Sequence, residues 1–444
     1  MGFQEKLAKV GIKAPAIMMP ESGIDMKKWA VVACDQYTSE PEYWEEVASI
    51  ASGSPSTNNL IFPESYLEDE DADERIIRIQ NAMRQYLSDG ILVEHEPSFF
   101  LVKRDTGTSP SRWGLMAALD LEAYDYSRES TSLIRATEGT IVDRIPPRKK
   151  IRIGAPLELP HIMVLIDDPG ETVIEPLVKI KNQFEKIYDF DLMKEGGHLT
   201  GFKVNSPAIL EQVASALSVL GNPDRFEAKY GNRDVLLYAM GDGNHSLATA
   251  KAVWEEIKTQ NSNNPDLMNN PARWALVEIE NIYDKGLIFE PIHRVLFNID
   301  ADAFLKTFDE TGSVKFKSLN STEEIMAAVS VQDQTHRIGY VDADRSGVIE
   351  VSESEATIAA GTVQMVIDSW LKAHKESSVD YIHGDEVTVK LGKKPGNCGI
   401  LLPALDKGDF FKTVIIDGAL PRKTFSMGEA HEKRFYVESR KIVR

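Results

Sequence analysis

Cysteine is nearly absent from this chain: Cys34 and Cys398 are the only two in 444 residues. They lie far apart and match no metal-ligand spacing. One long-range disulfide is the only pairing open to them, and reduced thiols in a cytoplasmic protein are the expected state. No apolar run approaches the roughly 20 residues needed to span a bilayer. The opening "MGFQEKLAKVGIKAP" also lacks the apolar core of a secretion signal. Basic residues are in deficit, with 50 Lys and Arg against 69 Asp and Glu and a net charge of -19. That balance argues against a general DNA-binding surface, whose affinity comes from clustered Lys and Arg, and against attachment to anionic membranes. No GK[ST] ending, no G-x-S-x-G elbow, no GxGxxG after a strand and no HExxH is present. His95, His161, His198, His336, His374, His383 and His431 fall in no metal-binding spacing. P-loop, hydrolase-triad, dinucleotide and dedicated zinc readings therefore lack support.

What is present is ordinary globular material, 42% hydrophobic, long enough for roughly two or three domains. Short apolar runs read as strands: "WAVVAC" (29–34), "SFFLVKR" and "RWGLMAALDLE" around a turn at 105–111, "HIMVLID" (161–167), "GGHLTGFKV", "DVLLYAM" (234–240) and "RWALVEIE" (273–280). Between them, helices are predicted. One starts at Pro41 behind a Ser39–Glu42 capping box and runs to about 51. Another places Ile76, Ile79, Met83, Tyr86 and Leu87 on one stripe and stops at Gly90. Others fall at 173–188, 207–219 and after residue 245. This alternation predicts an α/β, or mixed α+β, fold. Beyond residue 300 helices are expected at 302–310 and 362–374 and a strand near 337–342, followed by strands in "VTVKL", "GILLPAL" and "TVIIDGA". A soft boundary near 300 separates an N-terminal region, 1–300, from a C-terminal region, 301–444, whose last strands could fold back on the first. The polar "NSNNPDLMNNP" (261–271) is expected to be a flexible loop beside the candidate site.

Four polar loops follow apolar strands. In "GDGNHS" (241–246), Gly241 and Gly243 would let a phosphate approach the backbone, and the amides opening the next helix would bind it. Asp242 could hold a metal ion or act as a base; Asn244 and His245 could donate to phosphate oxygens. The same residues also make an ordinary strand-to-helix turn, with Gly supplying the backbone angles and Asp or Asn capping the helix. In "DKGLIFEPIHR" (284–294), His293 and Arg294 could contact an anion or close an edge strand as a surface pair. In "TEGTIVDR" (137–144), Glu138 could be a general base and Arg144 a phosphate clamp, or Glu138 an exposed acid beside an Asp143–Arg144 turn. Asp35, Gln36 and Tyr37 form the fourth loop.

In this order, "VVACDQYTSEPEYW", "TEGTIVDR", "GDGNHSLATA" and "DKGLIFEPIHR" resemble the DUF1015 family, a large bacterial and archaeal family of unassigned function. Its members carry a "VVAPPYDV"-like loop, "HExT…DR", "DGHHRYxTA" and "DxGLxxxPTHR", and "ALPRKTFSM" is similar to a degenerate form of its "MPPKSTxFxPK". The likeness runs over nearly the whole chain. The "DGHHR" element further resembles the signature of the ParB/sulfiredoxin-like superfamily, whose members include partition proteins, sulfiredoxins and an ADP-dependent free-serine kinase. That resemblance implies a ParB/sulfiredoxin-like core at about 198–300, with nucleotide phosphates cradled by residues 241–247 and Asp242 and His245 at an acidic and an imidazole position. The chain departs from the pattern. Asn244 replaces the first His, Ser246 the Arg and Thr137 the His of "HExT", while "CDQY" stands for "PPYD".

Together these features imply a small-molecule phosphotransferase using ATP or ADP with Mg²⁺. Phosphates would meet Asn244, His245 and Ser246, with Asp242 assisting the metal. Glu138 or Asp35 would orient or deprotonate an acceptor hydroxyl, and Arg144 and Arg294 would steady the transferring group. The alternative is a nucleotide- or phospho-ligand-binding regulator without turnover, which the lost motif Arg favours. A partition-type DNA binder is disfavoured by the charge and by the lack of a basic helix-turn-helix.

Overall fold

The segment 274–281 shows how this sequence builds its larger sheet. Ala275, Val277 and Ile279 point into one apolar core, whereas Leu276 points into a second core on the opposite face. A strand buried on both sides must be apolar at nearly every position, yet Glu278 and Glu280 occupy the second face and are buried. Glu278 pairs with Arg434, near the end of the chain, and Glu280 with Arg112.

The computed structural model describes residues 2–444 and divides them into two units, 2–287 with 429–444 and 288–428. In unit 1 the main elements are α1 (Pro41–Ala51), α2 (Ala72–Ser88), β1 (Phe99–Asp105), β2 (Arg112–Asp120), β3 (Ile134–Arg135), α3 (Ile145–Arg152), β4 (Met163–Ile166), β5 (Glu185–Asp191), β6 (His198–Val204), α4 (Pro207–Leu220), α5 (Pro223–Tyr230), β7 (Tyr238–Asp242), α6 (Asn244–Gln260) and β8 (Trp274–Asn281). The sheet order is β5-β6-β1-β2-β8-β4-β7-β3, with Tyr124–Asp125 beyond β3. The β1–β2 hairpin is antiparallel, and β4 runs parallel to β8 and antiparallel to β7. Met163 of β4 stands between Glu278 of β8 and Asp242 of β7, so the end of β7 shares a row with the buried acids.

Unit 2 contains β9 (Glu290–Phe297), α7 (Ala301–Thr307), β10 (Ser313–Ser318), α8 (Thr322–Val329), β11 (His336–Val341), β12 (Ser346–Ser352), α9 (Ala359–Ala373), β13 (Ser378–His383), α10 (Asp385–Gly392), β14 (Asn397–Leu401) and α11 (Lys407–Asp417). Its sheet order is β10-β12-β11-β14-β9-β13. The fold is mixed α/β, as the alternation predicts. Among the described residues no helix is long and apolar enough to cross a membrane.

Several local expectations are corrected. The 173–188 helix is one short turn, Glu175–Lys179, and 185–191 is strand β5. The segments "VTVKL" and "TVIIDGA" are helical, in α10 and α11. In α10, acids open and Lys390 closes the helix, complementing its dipole. Gly392 lies so close to the Gly399 backbone that a Cβ has no room, so packing on β14 overrides the β-branched propensity. In α11, Asp406 caps the first turn and Phe410, Phe411 and Val414 form the buried stripe. β7 begins at Tyr238 rather than at 234, and "WAVVAC" contributes only the two-residue strand Val31–Val32 after a helical turn. Ser39 does not cap α1; Glu40 is its N-cap residue and makes no side-chain cap. The 261–271 loop follows the far end of α6, about 25 Å along the helix axis from Asn244, and is not beside that end. The change of unit falls after Leu287, before residue 300, and residues 429–444 belong with unit 1.

Candidate functional site

The site begins where β7 ends. Gly243 adopts φ 82°, a left-handed turn that L side chains avoid, and a Cβ there would sit 3.0 Å from Ile162 Cα. That turn starts α6, whose N-terminus no side chain caps. The amides of Asn244, His245 and Ser246 therefore have no acceptor within the helix. Behind them, Leu247, Ala250 and Trp254 anchor α6 in the core.

The 137–141 loop is tied to this turn at two points. Thr137 N–H donates to Asn244 Oδ1 at 3.2 Å, and Ile141 N–H donates to His245 Nε2 at 3.3 Å. Glu138, half-buried, lies between the two anchors. Because Nε2 accepts, the neutral imidazole of His245 carries its proton on Nδ1. Burial, reinforced by Arg148 and Arg144, pushes its pKa down to about 4. Arg144 is exposed. Arg148 donates to the Arg144 carbonyl at 2.8 Å and pairs with Glu64. Burial pushes the Glu64 carboxyl up against the opposing pull of Arg148.

Asp242 receives Gly243 N–H at 2.8 Å and the Lys433 ammonium at 3.2 Å. Burial alone would raise its carboxyl, but Lys433, His161 and the Gly243 amide together hold it below the ordinary aspartate value. With both oxygens engaged, and with no cluster of three His, Cys, Asp or Glu ligands around Asp242 among the described residues, these groups do not by themselves make a metal site.

Asp35 accepts from the Gln36 amide at 2.9 Å, and its other oxygen lies 3.7 Å from His161 Nε2. Tyr37, at φ 51°, stacks on Tyr43. Ser246 Oγ is 3.0 Å from the same His161 nitrogen. Asp35, the 137–141 loop and residues 242–246 thus converge in unit 1. His161, Arg148, Lys433 and Tyr436, which join them, carry no motif. The one sequence signal is that His161 lies two residues before strand β4, as the other loop residues lie near strand ends.

His293 and Arg294 belong to unit 2, in the middle of β9, which pairs with β13 on one side and β14 on the other. They are core-strand residues, not the end of an edge strand. His293 Nδ1 accepts Leu402 N–H at 3.1 Å, and burial lowers its pKa to about 4. The Arg294 guanidinium donates to the Ile292 and Arg422 carbonyls and lies over the Tyr381 ring. The "DKG" turn stays in unit 1, where Asp284 accepts Gly286 N–H at 2.7 Å and Trp113 N–H at 3.1 Å. Both cysteines are free thiols.

A mixed α/β unit with a left-handed glycine turn feeding an uncapped helix, and polar loops gathered on it, is the class this architecture defines. The chain belongs to the DUF1015 family of proteins of unknown function, whose profile matches residues 18–370. Among solved structures it is similar to a conserved hypothetical protein from Pyrococcus furiosus. That match is 11% identical, covers 74% of this chain and 95% of that one, and has a TM-score of 0.36. It is also similar to a free serine kinase mutant in complex with AMP and to another in complex with ADP. Each is 9% identical, covers 74% of this chain and 92% of the other, and has a TM-score of 0.38. No curated protein matches.

Proposed function

We propose that unit 1 binds the phosphates of ATP or ADP at residues 241–246 and transfers a phosphoryl group to a small-molecule hydroxyl. The observation that carries this reading is the uncapped first turn of α6, held open while the 137–141 loop and Arg144 and Arg148 gather on it. Unpaired helix amides with guanidinium groups nearby favour an oxyanion, and fixed donors of this kind are what phosphoryl transfer requires. Asn244 keeps its amide donors after its oxygen is used by Thr137, and neutral His245 keeps Nδ1–H. Glu138 and Asp35 would be the carboxylates that orient the acceptor. Mg²⁺ would arrive on the phosphates, with most ligands from them and from water, and Asp242 would be its protein carboxylate.

Thermal melting with ATP, ADP, CTP and GTP, with and without Mg²⁺, tests the binding. A ligand specific to the folded state at 100 times its Kd adds about 2.7 kcal/mol. A rise in Tm that Arg144→Ala and Arg148→Ala both reduce supports the reading. No response to any nucleotide at millimolar concentration overturns it. Product analysis against a panel of hydroxyl acceptors then tests transfer.

The second reading, a nucleotide-binding regulator without turnover, is favoured by one observation: both Asp242 oxygens already have partners inside the protein. Tight binding with no turnover on any acceptor would select it.

A further inference from the structure

His161, Tyr436 and Cys34 have no part in the phosphate reading, yet they form a continuous hydrogen-bonded chain ending at Ser246. Ser246 Oγ lies 3.0 Å from His161 Nε2, and His161 Nδ1 lies 2.7 Å from the Tyr436 hydroxyl. That hydroxyl also lies 3.0 Å from Cys34 Sγ and accepts Cys34 N–H at 3.2 Å. Tyr436 is buried, and burial, followed by the neighbouring Cys34 and Asp35, holds its phenol well above the usual range. In the imidazole tautomer that carries its proton on Nδ1, the Tyr436 oxygen accepts that proton and Nε2 presents a lone pair to Ser246.

A hydroxyl nucleophile, a base within hydrogen-bond reach and a third group orienting the base are the parts of an activated serine. The surroundings suit the chemistry. Asp35 Oδ2, 3.7 Å from Nε2, stabilises the imidazolium that forms, and the amides of Asn244 and His245 precede Ser246 in the same uncapped turn. Ser246 is half-buried and His161 is 8% exposed, so the hydroxyl is reachable and the base is shielded.

We propose that Ser246 is a catalytic nucleophile that accepts the phosphoryl group covalently, with His161 as its base and Tyr436 as the positioning residue. The donor rests on the nucleotide reading above. Ser246 Oγ attacks the terminal phosphorus. An O–P bond forms as the bond from phosphorus to the bridging oxygen breaks, and its electron pair leaves with the nucleotide shortened by one phosphate, ADP from ATP or AMP from ADP. The serine proton passes to His161 Nε2 and then to solvent. In the second half, the acceptor hydroxyl loses its proton to His161 and attacks the phosphoserine. His161 returns a proton to the departing Ser246 oxygen, so the enzyme is regenerated.

Two probes on the full chain test this. The first is ATP labelled at the γ-phosphate, with Mg²⁺ and rapid acid quench. The second is a fluorophosphonate, which bonds to activated serines with loss of fluoride and needs no nucleotide site. Both are expected to mark Ser246 by peptide mass spectrometry, and Ser246→Ala is expected to take neither label while keeping its circular dichroism and Tm. His161→Gln should slow both reactions by about 100-fold. Tyr436→Phe should slow labelling and displace its pH profile, which a merely structural role would not do. Nucleotide binding with turnover, but no label at Ser246 from either probe, overturns the nucleophile and leaves the nucleotide reading standing. Fluorophosphonate labelling without any Tm response to nucleotide overturns the nucleotide donor and leaves the activated serine. Fluorophosphonate labelling indifferent to His161→Gln overturns the role given to His161.

Discussion

The Lys433 ammonium lies 3.2 Å from Asp242 Oδ2, although 191 residues separate the two in the chain. The last sixteen residues, 429–444, thereby complete a turn laid down in the middle of the sequence. Replacing Lys433 with Met keeps the packed stem and removes the charge that balances Asp242. The expected cost is about 2 kcal/mol, below the ~3–5 kcal/mol of a fully buried pair, because the side chains keep 17% and 28% exposure. Urea denaturation measures it. A midpoint equal to that of the parent protein would show that the pair contributes nothing.

Gly243→Ala is expected to destabilise by more than Gly90→Ala. Both positions have positive φ, 82° and 71°, but a Cβ at Gly243 meets Ile162 whereas nothing lies within 4 Å at Gly90. The left-handed conformation costs each about 1–2 kcal/mol. The difference between the two midpoints isolates the Ile162 contact, and equal midpoints would show that the turn has room to shift.

The buried acids of β8 should respond differently to neutralisation. Glu278 pairs with Arg434. Glu280 receives Arg112 Nε at 3.0 Å, but burial, together with Glu278 and Asp284, pushes its carboxyl up to about 8. At pH 7 a neutral Glu280 resembles glutamine, so Glu280→Gln should lower the unfolding midpoint less than Glu278→Gln. The reverse order would place the charge on Glu280.

Acid stability should carry the mark of two neutral imidazoles. An unfolded histidine titrates near about 6.5, whereas His293 and His245 are both held at about 4. Between those values the unfolded chain binds protons that the folded chain does not, so stability falls as pH drops from about 6.5 to about 4 and levels off below. His293→Gln, whose amide oxygen can still accept Leu402 N–H, should flatten this limb in a pH series of denaturation curves. An unchanged slope would assign the acid sensitivity elsewhere.

Much of the fold is legible residue by residue. The stripe of Ile79, Met83 and Tyr86 on α2, the β1–β2 hairpin and the strand-turn-helix at 238–260 follow from local periodicity and glycine placement. Short β-branched runs such as 387–391 and 413–417 were not legible. A helix and a strand present the same few apolar residues there, and only the surface they pack against decides between them. Of the candidate site, Asp242, Asn244 and His245 are visible through their spacing, and Asp35 and Glu138 through their strand-flanking loops.

The sequence alone determined the alternation of strands and helices, the family, and a glycine-dependent turn from strand to helix at 241–246. These depend on backbone sterics and periodicity within a dozen residues. That no side chain caps this helix is a finding of the structure. Tertiary structure decided that Lys433 balances Asp242, that His161 and Tyr436 align behind Ser246, and that His293 and Arg294 are spent inside a central strand. Charge pairing and hydrogen bonding act over about 3 Å of space whatever the separation along the chain, so no local pattern encodes them.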